Sequence, residues 1–369
     1  MHTKNTSVYK CLIVGAIALM IGGSSMAQDV HFSQLFENPL TLNPALGGTF
    51  NGTVYAGLNY RNQWSSVAQN GNGYTTTAFT FQLQNMLKNW GNGYVSPGLS
   101  VFEDQSGDAH LTQLEIAFNL ASGIYLNDNN CISAGLQGGW DQNSIQLAGL
   151  EWDDQYINGA YNSNAPSYEN YFGSSLSYAD FSAGVAYHYG KGETNMSSND
   201  ALKFSAGAAV YHVNEPTISF YNYPTSIAAG TQLYMRYSFY ANMEIGVPNT
   251  DLQIMPALIY MQQGPAWEVD AGTKLRYVVN PESKYTGNHK GSAIDLGFYY
   301  RVNDAAIVML GYEWGNFALG ASYDFNTSAL TTASHGEGGF EISLRYVNLD
   351  AILKAAGGSG PASRSTFQD

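Results

Sequence analysis

The chain of 369 residues holds 29 acidic against 15 basic side chains, a net charge of −14, and so acidic a surface repels a phosphate backbone and argues against nucleic-acid binding. Charged residues make up only 12%, about half the roughly 25% of ordinary soluble chains, while 44% hydrophobic and 14% aromatic residues exclude disorder. Mean hydropathy is −0.19, and beyond the N-terminus no apolar run reaches the ~18 residues of a spanning helix, which excludes a helical membrane protein.

The N-terminus reads as a secretory signal. Lys4 and Lys10 supply a positive start, Cys11 to Ile21 is an apolar run, and Ser25 and Ala27 are small residues ahead of Gln28. The apolar run falls well short of the ~20 residues of a transmembrane helix. Residues 1–27 are therefore expected to be removed near Ala27. Cys131 is then the lone cysteine, so no internal disulfide is expected.

Residues 28–48 hold Pro39 and Pro44 and lack alternation, so they are not expected to pair in a sheet. They are assigned to a separate N-terminal segment, periplasmic or plugging. From residue 49 to 348 the pattern changes to a period of two, in which successive side chains point to opposite faces of a strand. Trp267, Val269, Ala271, Thr273, Leu275 and Tyr277 alternate with Glu268, Asp270, Gly272, Lys274 and Arg276. Tyr237, Phe239 and Ala241 alternate with Arg236, Ser238, Tyr240 and Glu244. Ile294 to Tyr300 alternate in the same way with Asp295 and Arg301, and Phe340 to Tyr346 with Glu341 and Arg345.

A soluble β-sandwich also alternates, but its polar face meets water and gathers Lys and Glu. Here the polar face is rich in Gly, Ser, Asn and Tyr with sparse charges of both signs, which suits a strand between lipid and a polar lumen. Fourteen segments are expected: 50–61, 74–84, 96–104, 110–126, 130–146, 180–189, 202–213, 231–246, 251–263, 266–280, 293–303, 305–314, 316–326 and 338–347. The even number fits a single-chain bacterial barrel. With both termini periplasmic, the two longest connections, 147–179 and 214–230, face outward. Residues 349–369 form a tail whose Gly357-Gly358-Ser359-Gly360 reads as a linker, and they stand outside the fold.

The residues also carry a family pattern. Gln28-Asp29-Val30-His31-Phe32-Ser33-Gln34, followed by Asn38-Pro39 and Asn43-Pro44-Ala45, resembles the opening of the PorP/SprF family, and Asn59-Tyr60-Arg61-Asn62-Gln63-Trp64 resembles its YRNQW motif. Asp180 to Gly184, His212 to Pro216, Gly311 to Asp324 and Gly338 to Tyr346 are similar as well. The resemblance implies an outer-membrane barrel of the type IX secretion and gliding-motility apparatus. Its implied partners are a secreted or cell-surface protein of adhesin type with a C-terminal secretion domain, the periplasmic or outer-membrane secretion machinery, and outer-membrane lipid. A passive porin for small solutes is the alternative.

Catalysis finds little support. The histidines show no metal-ligand spacing, no cofactor motif is present, and Ser219 near His212 is the nearest approach to a nucleophile and base. The candidate partner surface comprises Asn59, Tyr60, Arg61, Asn62, Gln63 and Trp64, with Tyr156, Tyr161, Tyr168 and Tyr171 of the first long connection. His212, Glu215, Tyr221 and Tyr223 complete it. Arg61 can clamp a partner's carboxylate bidentately or close the barrel against lumenal acids, and both readings stand. Arg236, Glu244, Glu268, Asp270, Lys274, Arg276, Asp295, Arg301 and Arg345 are expected to form a lumenal charge network of mixed sign.

Overall fold

The computed structural model describes residues 29–348, except 66–72, 85–91, 108, 148–149, 158–159, 167–172, 193–198, 221–231, 282–290 and 330. The signal segment, the tail from residue 349 and the tyrosines at 168, 171, 221 and 223 lie outside the described residues. In chain order the strands are β1 (Val54–Gln63), β2 (Tyr74–Leu83), β3 (Gly93–Ser106), β4 (Leu111–Asn127), β5 (Asn130–Ser144), β6 (Tyr156–Ile157), β7 (Ala160–Tyr161) and β8 (Ser175–Lys191). They continue with β9 (Leu202–Tyr211), β10 (Arg236–Gly246), β11 (Leu252–Gln263), β12 (Ala266–Asn280), β13 (Ser292–Arg301), β14 (Ala305–Trp314), β15 (Phe317–Asn326) and β16 (Glu337–Asn348).

Among the described residues, β6 and β7 form a small hairpin of their own and the other fourteen strands close into an antiparallel barrel. Closure pairs β1 with β16, Val54 opposite Asn348 and Gln63 opposite Gly339, which leaves no edge strand to expose unsatisfied backbone. All fourteen expected segments are present. Their ends differ where composition misleads. Residues 51–53 bend, so β1 starts at Val54 and not at residue 50, and Phe50 packs on the Tyr55 ring at 5.5 Å. Leu233 and Met235 precede β10 instead of belonging to it. The stretch Ser175–Ala179, read as loop, is the start of β8, which pairs Ser175 with Ser144 of β5.

Facing alternates as the period of two requires. Phe118 and Leu136 are each 68% exposed, and with Phe181, Leu258, Phe298, Leu310 and Ile342 they form an apolar outer band suited to lipid. At one end of that band Tyr312, Trp314, Phe317 and Tyr346 pack ring against ring at 5.0–5.9 Å, as an interfacial aromatic girdle does. Glu268, Asp270, Asp295, Arg301 and Glu341 point inward and are buried. The two longest connections, between β5 and β8 and between β9 and β10, share one end of the barrel. Long loops of such barrels lie outside the cell, so this end is the outer mouth and the opposite end the inner mouth.

The lumen is filled by the chain's own N-terminal segment. Asp29 lies at the outer mouth, where its backbone N–H donates to Gln263 at 2.8 Å. The segment descends to the inner half, where Tyr55 at the start of β1 donates to the Glu37 carbonyl at 2.7 Å. It folds back through a helical turn at Pro39–Leu42, beneath Tyr211, and descends again through a tighter turn at Pro44–Leu46 to β1. Irregular backbone at membrane depth must find partners inside the protein. Tyr211 donates to Leu40 O at 2.8 Å, Asn119 to Pro44 O at 3.0 Å and Ser133 to Ala45 O at 2.8 Å. Phe32, Leu40, Leu42 and Leu46 are buried, each burial worth on the order of 1.5–3 kcal/mol.

Small residues on the wall make this approach possible. A Cβ added at Gly135 would stand 2.2 Å from Pro44 O, and one at Gly184 would stand 2.0 Å from Asn43 Oδ1. The glycines of β5 and β8 are thus the groove in which residues 43–45 lie.

Candidate functional site: the outer mouth and the lumenal charge network

Two polar clusters fix the plug, one at each end. At the outer mouth His212, just past β9, bridges two carboxylates: Nε2 lies 2.5 Å from Asp29 Oδ2, and Nδ1 lies 2.9 Å from Asp180 Oδ1 on β8. Burial alone would depress the imidazolium, but the two carboxylates outweigh it and hold His212 up at about 10. Burial alone would likewise raise the Asp29 carboxyl. The cations of His212 and Arg236 outweigh it and keep that group well below the usual carboxylate range. Arg236 stands 3.5 Å from Asp29, lies over the Tyr211 ring at 4.2 Å and donates to Thr41 O at 3.2 Å.

Beside this clasp, Arg61 on β1 pairs with Asp324 on β15 at 3.0 Å and donates to the carbonyl of His31 in the plug. Arg301 shares Asp324 at 3.2 Å and also faces Asp270 at 3.3 Å and Glu268 at 3.6 Å. Glu341 accepts from the backbone N–H of Ser33 at 2.6 Å, from that of Gln34 at 3.1 Å and from Asn59 Nδ2 at 2.7 Å. A cavity between Asp29, His31, Arg236 and Glu268 measures only about 20 Å³, room for a single water.

The inner cluster runs from Lys274 to Asp295 at 3.0 Å, to Arg276 at 3.1 Å, then through Glu313 to Arg345, which reaches Glu37 of the plug at 3.7 Å. Lys203 pairs with Glu244 at 3.2 Å. A cavity of about 380 Å³ opens here between the plug and the wall, lined among others by Phe50, Tyr55, Lys203, Lys274 and Arg345. Among the described residues no group of three His, Cys, Asp or Glu side chains is arranged to hold a metal.

The candidate residues read from the sequence divide into three places. Asn59 and Arg61 lie inside the barrel wall, on plug-holding bonds. Tyr60 faces outward against Phe340 at 5.9 Å, and Asn62 Nδ2 donates to Thr75 across the β1–β2 pair at 3.3 Å. Gln63 ends β1, and Trp64 turns away with φ 53°, half-buried, its ring edge-on to Tyr74 at 5.0 Å. Tyr156 and Tyr161 are exposed on the β6–β7 hairpin and pack at 5.8 Å. Glu215 is exposed in the turn that His212 begins.

The nine residues expected in a lumenal network all carry lumenal bonds. Sequence reasoning missed the acids that complete the lumenal contacts, Asp29, Glu37, Glu313 and Asp324 beside these nine, Asp180 on His212 and Glu341 on the plug and Asn59. Each of the four on a strand sits on the polar side of an alternating run, a signal that was present but that marks a face and not a partner.

A model of the family described as type IX secretion system membrane protein PorP/SprF matches residues 24–346. The chain belongs to the PorP/SprF family. The match takes in the plug and the barrel into β16, and a PorP/SprF protein with this fold is an outer-membrane β-barrel. A search of the curated proteins finds no match. Among solved structures the chain is similar to the TodX deltaS2S3 mutant monoaromatic hydrocarbon channel, at 9% identity over 86% of this chain and 94% of that one, with a TM-score of 0.46. It is also similar to a Pseudomonas aeruginosa FadL homologue, at 12% identity over 82% and 92% with a TM-score of 0.39. BamA from Haemophilus ducreyi lacking POTRA domains 1–3 stands at 10% over 80% and 70%, with a TM-score of 0.41. At such distances none of them bears on what this PorP/SprF protein does.

Proposed function

We propose that this PorP/SprF barrel binds a cognate cell-surface protein carrying a C-terminal secretion domain, and anchors it or helps its export, at the outer mouth. Family membership supports a secretion role. The observation that carries the reading further is the filled lumen: residues 29–50 run from the outer to the inner mouth and are bonded to the wall at both ends. A solute pore needs an open path, and this wall is built to hold a plug. What the outer end offers instead is a platform of loops, with the Tyr156–Tyr161 hairpin and Glu215 exposed upon it.

On this reading residues 1–27 direct export and are removed, residues 349–369 stand outside the barrel, and the inner mouth meets the secretion machinery. The test is gentle-detergent purification from native membranes with mass spectrometry, paired with planar-bilayer recording of the same material. A co-purifying surface protein with a large C-terminal domain, and a silent bilayer, are expected. A steady channel with no such protein would return the assignment to the porin.

A further inference from the structure

The basic residues are distributed very unevenly between the two mouths. At the inner mouth Lys203, Lys274, Arg276 and Arg345 face Glu37, Glu244, Asp295 and Glu313, base for acid. At the outer mouth no connection between strands contains a lysine or an arginine: neither the long ones at 145–174 and 212–235 nor those at 64–73, 107–110, 264–265, 302–304 and 327–336. The same connections carry Glu151, Asp153, Asp154, Glu215 and Asp304. The first four of these are exposed.

Within the mouth the shortage is sharper. Arg61 and Arg301 attend Asp324, and His212 and Arg236 attend Asp29. Glu115 on β4 and Asp141 on β5 are cross-strand register partners on the lumenal face, so their carboxylates stand side by side. Asp141 is fully buried and neither of its oxygens has a hydrogen-bond partner. Glu115 is partly exposed and its nearest donor is the Gln137 amide, 3.5 Å away. Two carboxyl groups side by side, one of them with no hydrogen-bond donor, are costly in a closed wall. They suit a wall that a cation from outside completes.

We propose that the outer mouth is the docking surface for a basic face of the exported partner, with Glu115, the accessible member of the pair, receiving a guanidinium or ammonium group against the buried Asp141 behind it and the loop acids steering it in. The inference rests on the partner-anchoring reading above and specifies its chemistry. An acidic mouth ringed by acidic loops attracts a basic surface over a Debye length and repels an acidic one.

The test is titration of a fluorescent arginine-rich peptide onto purified, detergent-solubilised barrel, together with competition by that peptide against the surface protein captured from native membranes. The variants are Glu115→Gln with Asp141→Asn, a loop variant Glu151→Gln with Asp153→Asn and Asp154→Asn, and Asp251→Asn as an inner-end control. Heat-modifiable migration on gels checks folding, and the loop variant decides the matter if the buried pair does not fold. Peptide binding is expected to weaken about ten-fold in each outer variant and again with added salt, to persist in Asp251→Asn, and to displace the captured protein.

Capture that is equal in wild type and both outer variants, and indifferent to the peptide, would overturn the basic-face proposal and leave anchoring intact. Capture that needs calcium and fails with a chelator would overturn it in favour of a bridging metal. No surface protein captured by the wild type would instead overturn the anchoring reading itself.

Discussion

Arg61 and Asp324 meet at 3.0 Å inside the barrel, one on β1 and the other on β15, with β16 between them. Both side chains are almost wholly buried, and Arg61 also holds the His31 carbonyl, so one guanidinium ties the closing seam to the plug. Arg61→Met leaves Asp324 to Arg301 and the Ser33 hydroxyl, and a plug carbonyl unsatisfied. A loss of about 3–5 kcal/mol is expected in urea unfolding followed by tryptophan fluorescence, with faster amide exchange across residues 30–36. Arg61→Lys should recover little, because a point charge cannot serve both acceptors at once.

The His212 clasp makes the plug's attachment depend on pH. His212 is raised from 6.5 to about 10, so its contribution is complete below pH 6.5 and is lost as the pH climbs through about 10. Asp29 is lowered from 3.8, so its contribution is complete above that value and is lost only on strong acidification. The clasp is therefore firmest between about pH 4 and 6.5. Amide protection at residues 29–33, exchange measured against the intrinsic base-catalysed rate at each pH, should collapse near pH 10 in the wild type. His212→Gln should exchange fast throughout and flatten the profile. A wild-type profile that stays flat to pH 11 would show that the imidazolium does not hold the plug.

These relationships were only partly legible in the sequence. The run Trp267–Tyr277 announces its two faces because lipid and lumen demand opposite chemistry at alternate positions, and its Glu268, Asp270 and Arg276 are buried as that pattern requires. Ends are harder, since Ser175–Ala179 alternates too briefly and with too few apolar groups to stand out from the polar connection before it, and it pairs along the end of β5. The plug is hardest. Asp29 and His212 are 183 residues apart, and nothing local to either names the other. Gly135 and Gly184 did leave a trace, as small residues where a strand would otherwise place bulk, but its cause became visible only with Pro44 and Asn43 against them.

The lipid face gives a check independent of the plug. Leu136 lies midway along β5 on the outer surface, whereas Leu126 lies beside the inner turn at the end of β4. An arginine at the bilayer midplane costs about 2–4 kcal/mol and near the interface about 0–1. Leu136→Arg should therefore destabilise folding into liposomes by the larger amount and Leu126→Arg by the smaller. Equal costs would mean that the apolar band is not centred where the strands place it.

Removing the plug should turn the barrel into a pore. A chain lacking residues 29–48 retains the fourteen wall strands but loses the bonds that fill the lumen, among them Tyr211 to Leu40 and Ser133 to Ala45. Planar-bilayer recording should then show steady conductance where the wild type shows none. Glu115 and Asp141, which no longer face a plug, and the acidic outer loops should make it cation-selective. Gly135→Val approaches the same state without a deletion, because the new Cβ stands 2.2 Å from Pro44 O and backbone must yield. It should cost about 1–3 kcal/mol and give flickering openings as the plug is pushed aside. Silence from both variants, with heat-modifiable migration showing folded barrels, would mean that the wall itself and not residues 29–48 closes the lumen.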